Sequence, residues 1–280
     1  DPSRPDFLAF EYVQHIAMVL DHTVLDTPAD QRLRIVHIGG AGMTLPRWVA
    51  WRRPGTAQVV CEPDVALTEE VRRKAPLPPR SGIKVRDVDG RAGLRAMQGA
   101  WADAVIVDAF DGAQVPGELA TAESLDDLRR VTRGEAVVVF NVTDRAPFAW
   151  AKRLAGGLAE RWPHLMVGME PVVQKGKRFG NLLLCASDAR PDARGVERES
   201  RGLPVGYRWL SGRDARAWPG GAEPFADARQ VIDERRAVGL HGREPRGFRL
   251  DRVAGPPDVE AGDQTQALGV LDRLMGRSVL

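Results

Sequence analysis

Short apolar runs alternate with helix-like segments along the first two thirds of the chain. Each run spans five to eight residues, and the segment after it carries apolar residues at helical spacing. This alternation predicts repeated β-α units, and therefore a mostly parallel sheet covered by helices on both faces. The runs lie at residues 33–38, 57–62, 83–87, 102–108 and 135–142.

The pattern changes after residue 163. Two apolar runs, 164–173 and 181–187, are separated only by the polar stretch 174–180. A connection that short allows an antiparallel pair but no parallel crossover. We therefore predict an α/β fold whose mostly parallel sheet ends in an antiparallel hairpin.

Three segments follow from this pattern. Residues 31–187 should form one α/β domain, and residues 1–30 an N-terminal segment that precedes it. Residues 188–280 are rich in Arg, Gly, Pro and Asp, with scattered apolar anchors such as Tyr207 and Trp209. We expect this extension to wrap the core, not to form an independent domain, and to end in a helix over 264–280.

Composition narrows the range of partners. A net charge of +2 on 40 basic and 38 acidic residues argues against nucleic acid as the main partner. No apolar run approaches the ~18–20 residues of a membrane span, so we expect no membrane partner and a cytoplasmic location. The two cysteines lie in apolar runs, and the histidines lack metal-ligand spacing, so we expect buried thiols and no metal.

A glycine-rich turn follows the first run, in the stretch IVHIGGAGMT. Gly39, Gly40 and Gly42 lie where a strand turns into a helix, so the backbone there can approach a ligand closely. The dinucleotide pattern G-x-G-x-x-G is incomplete, because Leu45 replaces its third glycine. That gap and the antiparallel end of the sheet favour an S-adenosyl ligand over NAD.

Acidic residues follow the next predicted strands. Glu62 lies 20 residues after Gly42, where an acid can accept hydrogen bonds from both ribose hydroxyls. Asp89 follows the third run, within reach of an adenine amino group, with Asp87 as the nearby alternative. The fourth run ends in Asp108, and Asp111 follows three residues later.

An amine must be neutral to attack the carbon beside a sulfonium, yet alkylammonium groups have a pKa near ~10.4 in water. A carboxylate that accepts a proton from the near nitrogen and a second one that binds a distant ammonium both assist. Asp108 suits the first role and Asp111 the second.

These motifs together resemble the spermidine synthase (polyamine aminopropyltransferase) family, and most closely its bacterial spermidine synthase-like branch. The resemblance covers about residues 7–187 and rests on the stretches LRIVHIGGAGMTLPRWV, VVCEPD, DVDGRAGL, ADAVIVDAFDGAQVPGEL and the hairpin at 170–186. It implies a methyltransferase-like Rossmann fold with an N-terminal β region. It also implies decarboxylated S-adenosylmethionine as donor, putrescine or another amine as acceptor, 5′-methylthioadenosine as by-product, and often a homodimer.

By the same resemblance, Glu62 binds the ribose, Asp89 the adenine and Asp111 the distal ammonium of the acceptor. Asp108 is the catalytic aspartate, in contact with the donor, and Tyr12 in FEYVQHIAMVL matches the pocket tyrosine. The resemblance thus implies that residues 31–187 are a nucleoside-binding, Rossmann-like catalytic domain and that residues 1–30 contribute to the substrate pocket.

Two positions depart from the family pattern. Gly42 replaces the aspartate of a GGGDG loop that binds the donor's amine, and Gly112 replaces a proline. A methyltransferase that uses S-adenosylmethionine itself and a non-catalytic nucleoside-binding protein of the same fold therefore remain as alternatives.

Overall fold

The computed structural model describes residues 4–112 and 115–226. One eight-stranded sheet has the order β3-β2-β1-β4-β5-β7-β6-β8. Its strands are β1 (Arg34–Ile38), β2 (Ala57–Cys61), β3 (Ile83–Arg86), β4 (Ala102–Val107), β5 (Thr132–Asp144), β6 (His164–Met169), β7 (Gly180–Ser187) and β8 (Arg208–Ser211). The helices are α1 (Glu11–Asp21), α2 (Thr44–Arg52), α3 (Val65–Lys74), α4 (Gly90–Arg95), α5 (Ala122–Val131), α6 (Ala149–Arg161), α7 (Pro171–Gln174), α8 (Ala193–Ser200) and α9 (Gly212–Ala217), with a 3-10 turn at Gly117–Leu119.

The sheet separates two hydrophobic cores, as the alternation of strands and helices predicts. Successive side chains of a strand point to opposite faces, so Val36 packs with the helices α4, α5 and α6, while Ile35 packs with α1, α2 and α8. All six residues of β4 are buried, as expected for a central strand covered on both faces. The two cysteines are buried and unpaired, in agreement with their apolar surroundings in the sequence.

The first five strands run parallel, and the chain places β4 on the side of β1 opposite β2. The strand order therefore reverses between β1 and β4. In open sheets of this kind, ligands bind beyond the carboxyl ends of the strands at such a reversal.

The antiparallel end of the sheet confirms the predicted hairpin and adds a strand to it. β7 lies between β5 and β6 and is antiparallel to both. The additional strand β8 pairs antiparallel with β6, where we had expected only scattered apolar anchors. Trp209 of β8 lies across Gly168 of β6, where a Cβ would come within 2.7 Å of the indole ring.

The segments that flank the sheet differ from the expectations in two respects. Residues 4–33 contain α1 and no strand, so the N-terminal β region that the family resemblance implies is not found in the described residues. Residues 188–226 pack on the sheet through α8, β8 and α9, and Phe225 forms a bridge with Thr121. The predicted last helix, 264–280, lies outside the described residues. No described helix is long and apolar enough to cross a membrane.

Candidate active site

One edge of the sheet carries the predicted site residues. The carboxyl ends of the parallel strands meet there, so the loops after β1, β2, β3 and β4 are neighbours. β6 is parallel to β5, because both are antiparallel to β7, and it therefore ends at the same edge. β8 runs in the opposite direction and begins at that edge.

Gly39 and Asp108 are in contact where the strand order reverses. The amide of Asp108 donates to the carbonyl of Ile38 at 2.9 Å, and that of Gly39 donates to Cys61 at 2.9 Å. A Cβ on Gly39 would lie 2.4 Å from the carbonyl oxygen of Asp108, and the backbone φ of Gly39 is +92°. Both the space and the conformation require glycine at this position.

The loop after β1 continues in a strained conformation. Ala41 and Met43 have positive φ angles of 38° and 59°, which side-chain-bearing residues adopt at a cost. Met43 is fully buried against Val60 and Val71. That packing provides a hydrophobic contribution that opposes the cost of its backbone conformation.

Glu62 holds this loop in place. Its Oε2 accepts hydrogen bonds from the amides of Gly40 at 2.9 Å and Ala41 at 3.0 Å, while Oε1 accepts from the amide of Asp64 at 3.0 Å. A carboxylate has about four acceptor positions, so one position on Oε1 remains for a ligand hydroxyl. The sequence predicts that Glu62 follows the second strand, as it does, but gives no sign of its contacts with the loop.

Asp89 follows β3 and begins α4. Its Oδ1 accepts from the amide of Ala92 at 2.7 Å, which is an N-cap contact, and its side chain is exposed. A Cβ on the next residue, Gly90, would lie 2.2 Å from Ile38, so the start of α4 lies against the end of β1. Asp89 therefore caps a helix at the predicted edge and keeps Oδ2 available for a ligand.

The environment of Asp108 changes the pKa of its carboxyl group. Asn141, fully buried in β5, donates from Nδ2 to Asp108 Oδ1 at 2.8 Å. Burial raises the pKa of Asp108 to about 6, and the hydrogen bond from Asn141 opposes part of that rise because it favours the charged form. Asp108 is therefore a stronger base than an ordinary carboxylate and is still ionised at neutral pH.

Tyr12 on α1 lies near Asp108. Burial first, and then the electrostatic influence of Asp108 and of the Tyr207 phenol, raise the pKa of the Tyr12 phenol well above its ordinary value. The phenol is therefore neutral and able to donate a hydrogen bond at physiological pH.

The second tyrosine of the chain, Tyr207, belongs to the same edge because it directly precedes β8. Its ring stacks on the buried His15 of α1 at a centroid distance of 3.8 Å. Burial and the nearby carboxylates of Glu170 and Glu11 raise its pKa. Glu170 itself follows β6 and pairs with Arg178 at 2.5 Å.

Asp111 and Gly42 are less constrained. The side chain of Asp111 is exposed, and its carboxylate forms no hydrogen bond or ion pair with the described residues. A Cβ on Gly42 would meet only the Thr44 hydroxyl, at 3.8 Å, so this position has room for a side chain. The structure thus brings Gly39, Gly40, Glu62, Asp108 and Tyr12 into one region, with Asp89 on its β3 side.

Sequence reasoning missed Asn141, Tyr207 and Glu170. Asn141 was visible as the polar residue inside the apolar run VVVFNV, and Tyr207 as one of two tyrosines in the chain. Glu170 directly follows an apolar run, as Glu62 and Asp108 do.

Comparisons with known proteins show what the fold of this chain is similar to. No protein-family model matches the chain, and no curated protein matches it by sequence. Among solved structures, a probable spermidine synthase from Corynebacterium glutamicum is similar, with a TM-score of 0.75 and 28% identity over 80% of this chain and 82% of that one.

More distant structures show the fold alone. Human methyltransferase-like protein 13, in complex with SAH, has a TM-score of 0.53 and 18% identity over 71% of this chain and 95% of that one. The spermidine synthase from Thermotoga maritima has a TM-score of 0.51 and 14% identity over 82% of this chain and 76% of that one.

The sheet order, the loop after β1 and these likenesses define the class: the chain has the fold of S-adenosylmethionine-dependent, methyltransferase-like proteins. Within that class its structure is similar to those of the spermidine synthases, which confirms the resemblance that the sequence motifs indicate.

Proposed function

We propose that this protein is a transferase that moves an aminopropyl group from decarboxylated S-adenosylmethionine to a diamine such as putrescine. The observation that carries the proposal is the carboxylate of Asp108. It lies at the reversal of strand order, beside the glycine loop, with its basicity raised by burial. The likeness to a probable spermidine synthase over 80% of the chain supports it.

The donor's nucleoside fits the loops after the first three strands. Gly39 and Gly40 present bare backbone, Glu62 keeps one acceptor position for a ribose hydroxyl, and Asp89 keeps Oδ2 for an adenine amino group. Gly42 has no side chain that could bind the donor's amine, so the adenosine part of the donor supplies most of the binding contacts.

Asp108 acts on the acceptor's near nitrogen. An N–H bond of the ammonium breaks and an O–H bond forms on Asp108, which leaves a neutral amine with a free electron pair. That pair forms the new C–N bond, while the C–S bond breaks and its electrons go to sulfur, giving neutral methylthioadenosine. The sulfonium is itself the activated group, so positioning and proton removal are what the protein contributes.

The distal ammonium of a diamine requires a second anion. Asp111 lies three residues beyond Asp108 with an exposed carboxylate, and we assign it that role. The neutral phenol of Tyr12 on α1 lies near Asp108, and we assign it a contact with the acceptor chain.

Methyl transfer from S-adenosylmethionine itself is the second candidate, and Gly42 favours it. Without an acid at that position, the site lacks the group that distinguishes the donor's amine in the family pattern. A nucleoside-binding protein without catalysis is the third candidate, because Gly42 and Gly112 both depart from the family pattern.

One incubation series separates the three. The purified protein is mixed with putrescine and either donor, and the nucleoside product is identified by chromatography. Methylthioadenosine with decarboxylated donor supports the proposal, and S-adenosylhomocysteine supports methyl transfer. Nucleoside binding by calorimetry without either product supports the third candidate. Asp108→Asn, which keeps shape and removes the base, is the matched control.

The homodimer that the resemblance implies stays a prediction. Sedimentation of the purified protein at several concentrations tests it.

A further inference from the structure

Asn141 occupies a position where a polar side chain is unfavourable. It belongs to β5, between Phe140 and Val142, in a run of fully buried residues. Alternation along the strand puts it on the same face as Val139, which packs in the core beneath α1. A side chain needed only to fill that space would be apolar, as its neighbours are.

The register of β4 against β5 explains why Asn141 lies beside Asp108. Val107 of β4 pairs with Phe140 of β5, so the next residues along the two parallel strands, Asp108 and Asn141, lie side by side. The hydrogen bond from Asn141 Nδ2 to Asp108 Oδ1 is the result.

Half of the Asn141 amide has no partner. Its Oδ1 is buried and accepts no hydrogen bond. A buried carbonyl oxygen without a partner is unfavourable, because it has lost its hydrogen bonds to water. The two ends of an amide are nearly the same size, so rotation about the last side-chain bond exchanges them with little change in packing.

We propose that Asn141 is a positioning residue that pairs with Asp108 in both protonation states by turning its amide. It donates from Nδ2 to the carboxylate, and once Asp108 has taken a proton from the acceptor nitrogen, Oδ1 accepts the new O–H. The oxygen that lacks a partner in one state is then satisfied in the other, and the carboxyl group keeps one orientation throughout the proton transfer.

Within residues 4–112 and 115–226, the pKa of Asp108 responds to burial and to the hydrogen bond from Asn141, which makes the inference testable by titration. Tyr12 of α1 is the titratable group whose pKa responds to Asp108, and its phenol is neutral across the relevant range. Gly39 of the β1 loop meets Asp108 through backbone alone. The catalytic meaning of the inference rests on the proposed function, but the pairing itself does not.

The first experiment uses the unmodified protein without substrate. NMR follows the carboxyl carbon of Asp108 and the side-chain amide of Asn141 between pH 4 and 8. We expect both signals to change with one midpoint, about 6. If Asp108 titrates while the amide of Asn141 does not change, the amide is fixed and the proposal fails.

Variants supply the second readout. Asn141→Leu can neither donate nor accept, and should raise the Asp108 midpoint by about half to one pH unit, because a hydrogen bond to a charged group is stronger than one to a neutral group. Asn141→Val, which prefers strands, replaces it if the Leu variant does not fold. Val139→Ala is the control: it should lower stability and leave the midpoint in place. An unchanged midpoint in the Asn141 variants overturns the proposal.

Activity distinguishes the inference from the proposed function. With a working assay, Asn141→Leu should lower kcat at pH 7 about 100-fold with KM changed less than about threefold, and move the acid limb of the kcat profile upward. Equal losses in Val139→Ala would make the effect merely structural. If no donor gives turnover but the two NMR signals still titrate together, the proposed function fails and the amide pairing stands.

Discussion

Asp108→Asn should abolish turnover and at the same time make the protein more stable. In the folded protein the pKa of Asp108 is about 6, against an ordinary value of 3.8. Each pKa unit corresponds to about 1.36 kcal/mol, so a difference of roughly two units means that holding the charged form costs about 3 kcal/mol at neutral pH. An asparagine has nearly the shape of the protonated acid and avoids that cost.

The pH dependence of this stability difference follows from the direction in which the Asp108 pKa is shifted. Because the folded-state pKa of Asp108 is raised, the folded protein takes up the proton first as pH falls. The penalty is complete above pH 6, falls to about half near pH 5, and is absent below about pH 3.8. The advantage of Asp108→Asn should therefore be about 3 kcal/mol at pH 7.5 and about 1.5 kcal/mol at pH 5.

Urea unfolding of the variant and the parent at these two pH values measures the difference directly, because other titrating groups cancel. Asp111→Asn is the control, and its exposed side chain should change stability by less than about 0.5 kcal/mol. A variant less stable than the parent, or a gain equal at both pH values, would refute the reasoning. In the parent, kcat should rise with pH through about 6, as Asp108 loses its proton.

Three further predictions concern the nucleoside loops. Gly39→Ala should lower the free energy of unfolding by about 2–5 kcal/mol, because the φ of Gly39 is positive and a Cβ there would lie 2.4 Å from Asp108. The control is Gly55→Ala, at a similar φ with no atom within 4 Å, which should cost only about 1–2 kcal/mol. Equal losses of stability on urea unfolding would show that the contact with Asp108 is unimportant. Gly42→Asp should tighten the binding of decarboxylated S-adenosylmethionine about tenfold, measured by calorimetry, because a charge-assisted hydrogen bond contributes about 1.5–3 kcal/mol. The same gain in affinity from Gly42→Asn would argue against an ionic contact. Glu62→Ala should weaken nucleoside binding by about 1–3 kcal/mol. It should also lower thermal stability, because backbone amides of the loop lose their acceptor. A variant that binds the nucleoside as tightly as the parent would show that Glu62 does not contact it.

The parallel half of the fold was predictable because each of its strands is a compact apolar run followed by its own helix. The places of Glu62, Asp89 and Asp108 followed, since the carboxyl ends of parallel strands share an edge. β8 escaped prediction because it has only four residues and depends on pairing with β6, more than 38 positions earlier in the chain.

The partners of the site residues were not predictable. Asn141 meets Asp108 only through the register of β4 against β5, which no local pattern encodes. Tyr207 and Tyr12 are far apart in sequence, and they come near each other because His15 of α1 stacks on Tyr207. The contacts of Glu62 depend on the positive φ angles of Ala41 and Met43, and neither residue type signals that conformation.

The short strand β8 has a consequence for solubility. It pairs with β6 along Met166, Val167, Gly168 and Met169, all buried, and so covers an edge that would otherwise present unpaired backbone groups. An uncovered, apolar edge strand is a template for association with other chains. A chain shortened to end before residue 207 should keep the central strands yet aggregate through the exposed edge of β6. The four residues of β8 therefore prevent self-association at that edge.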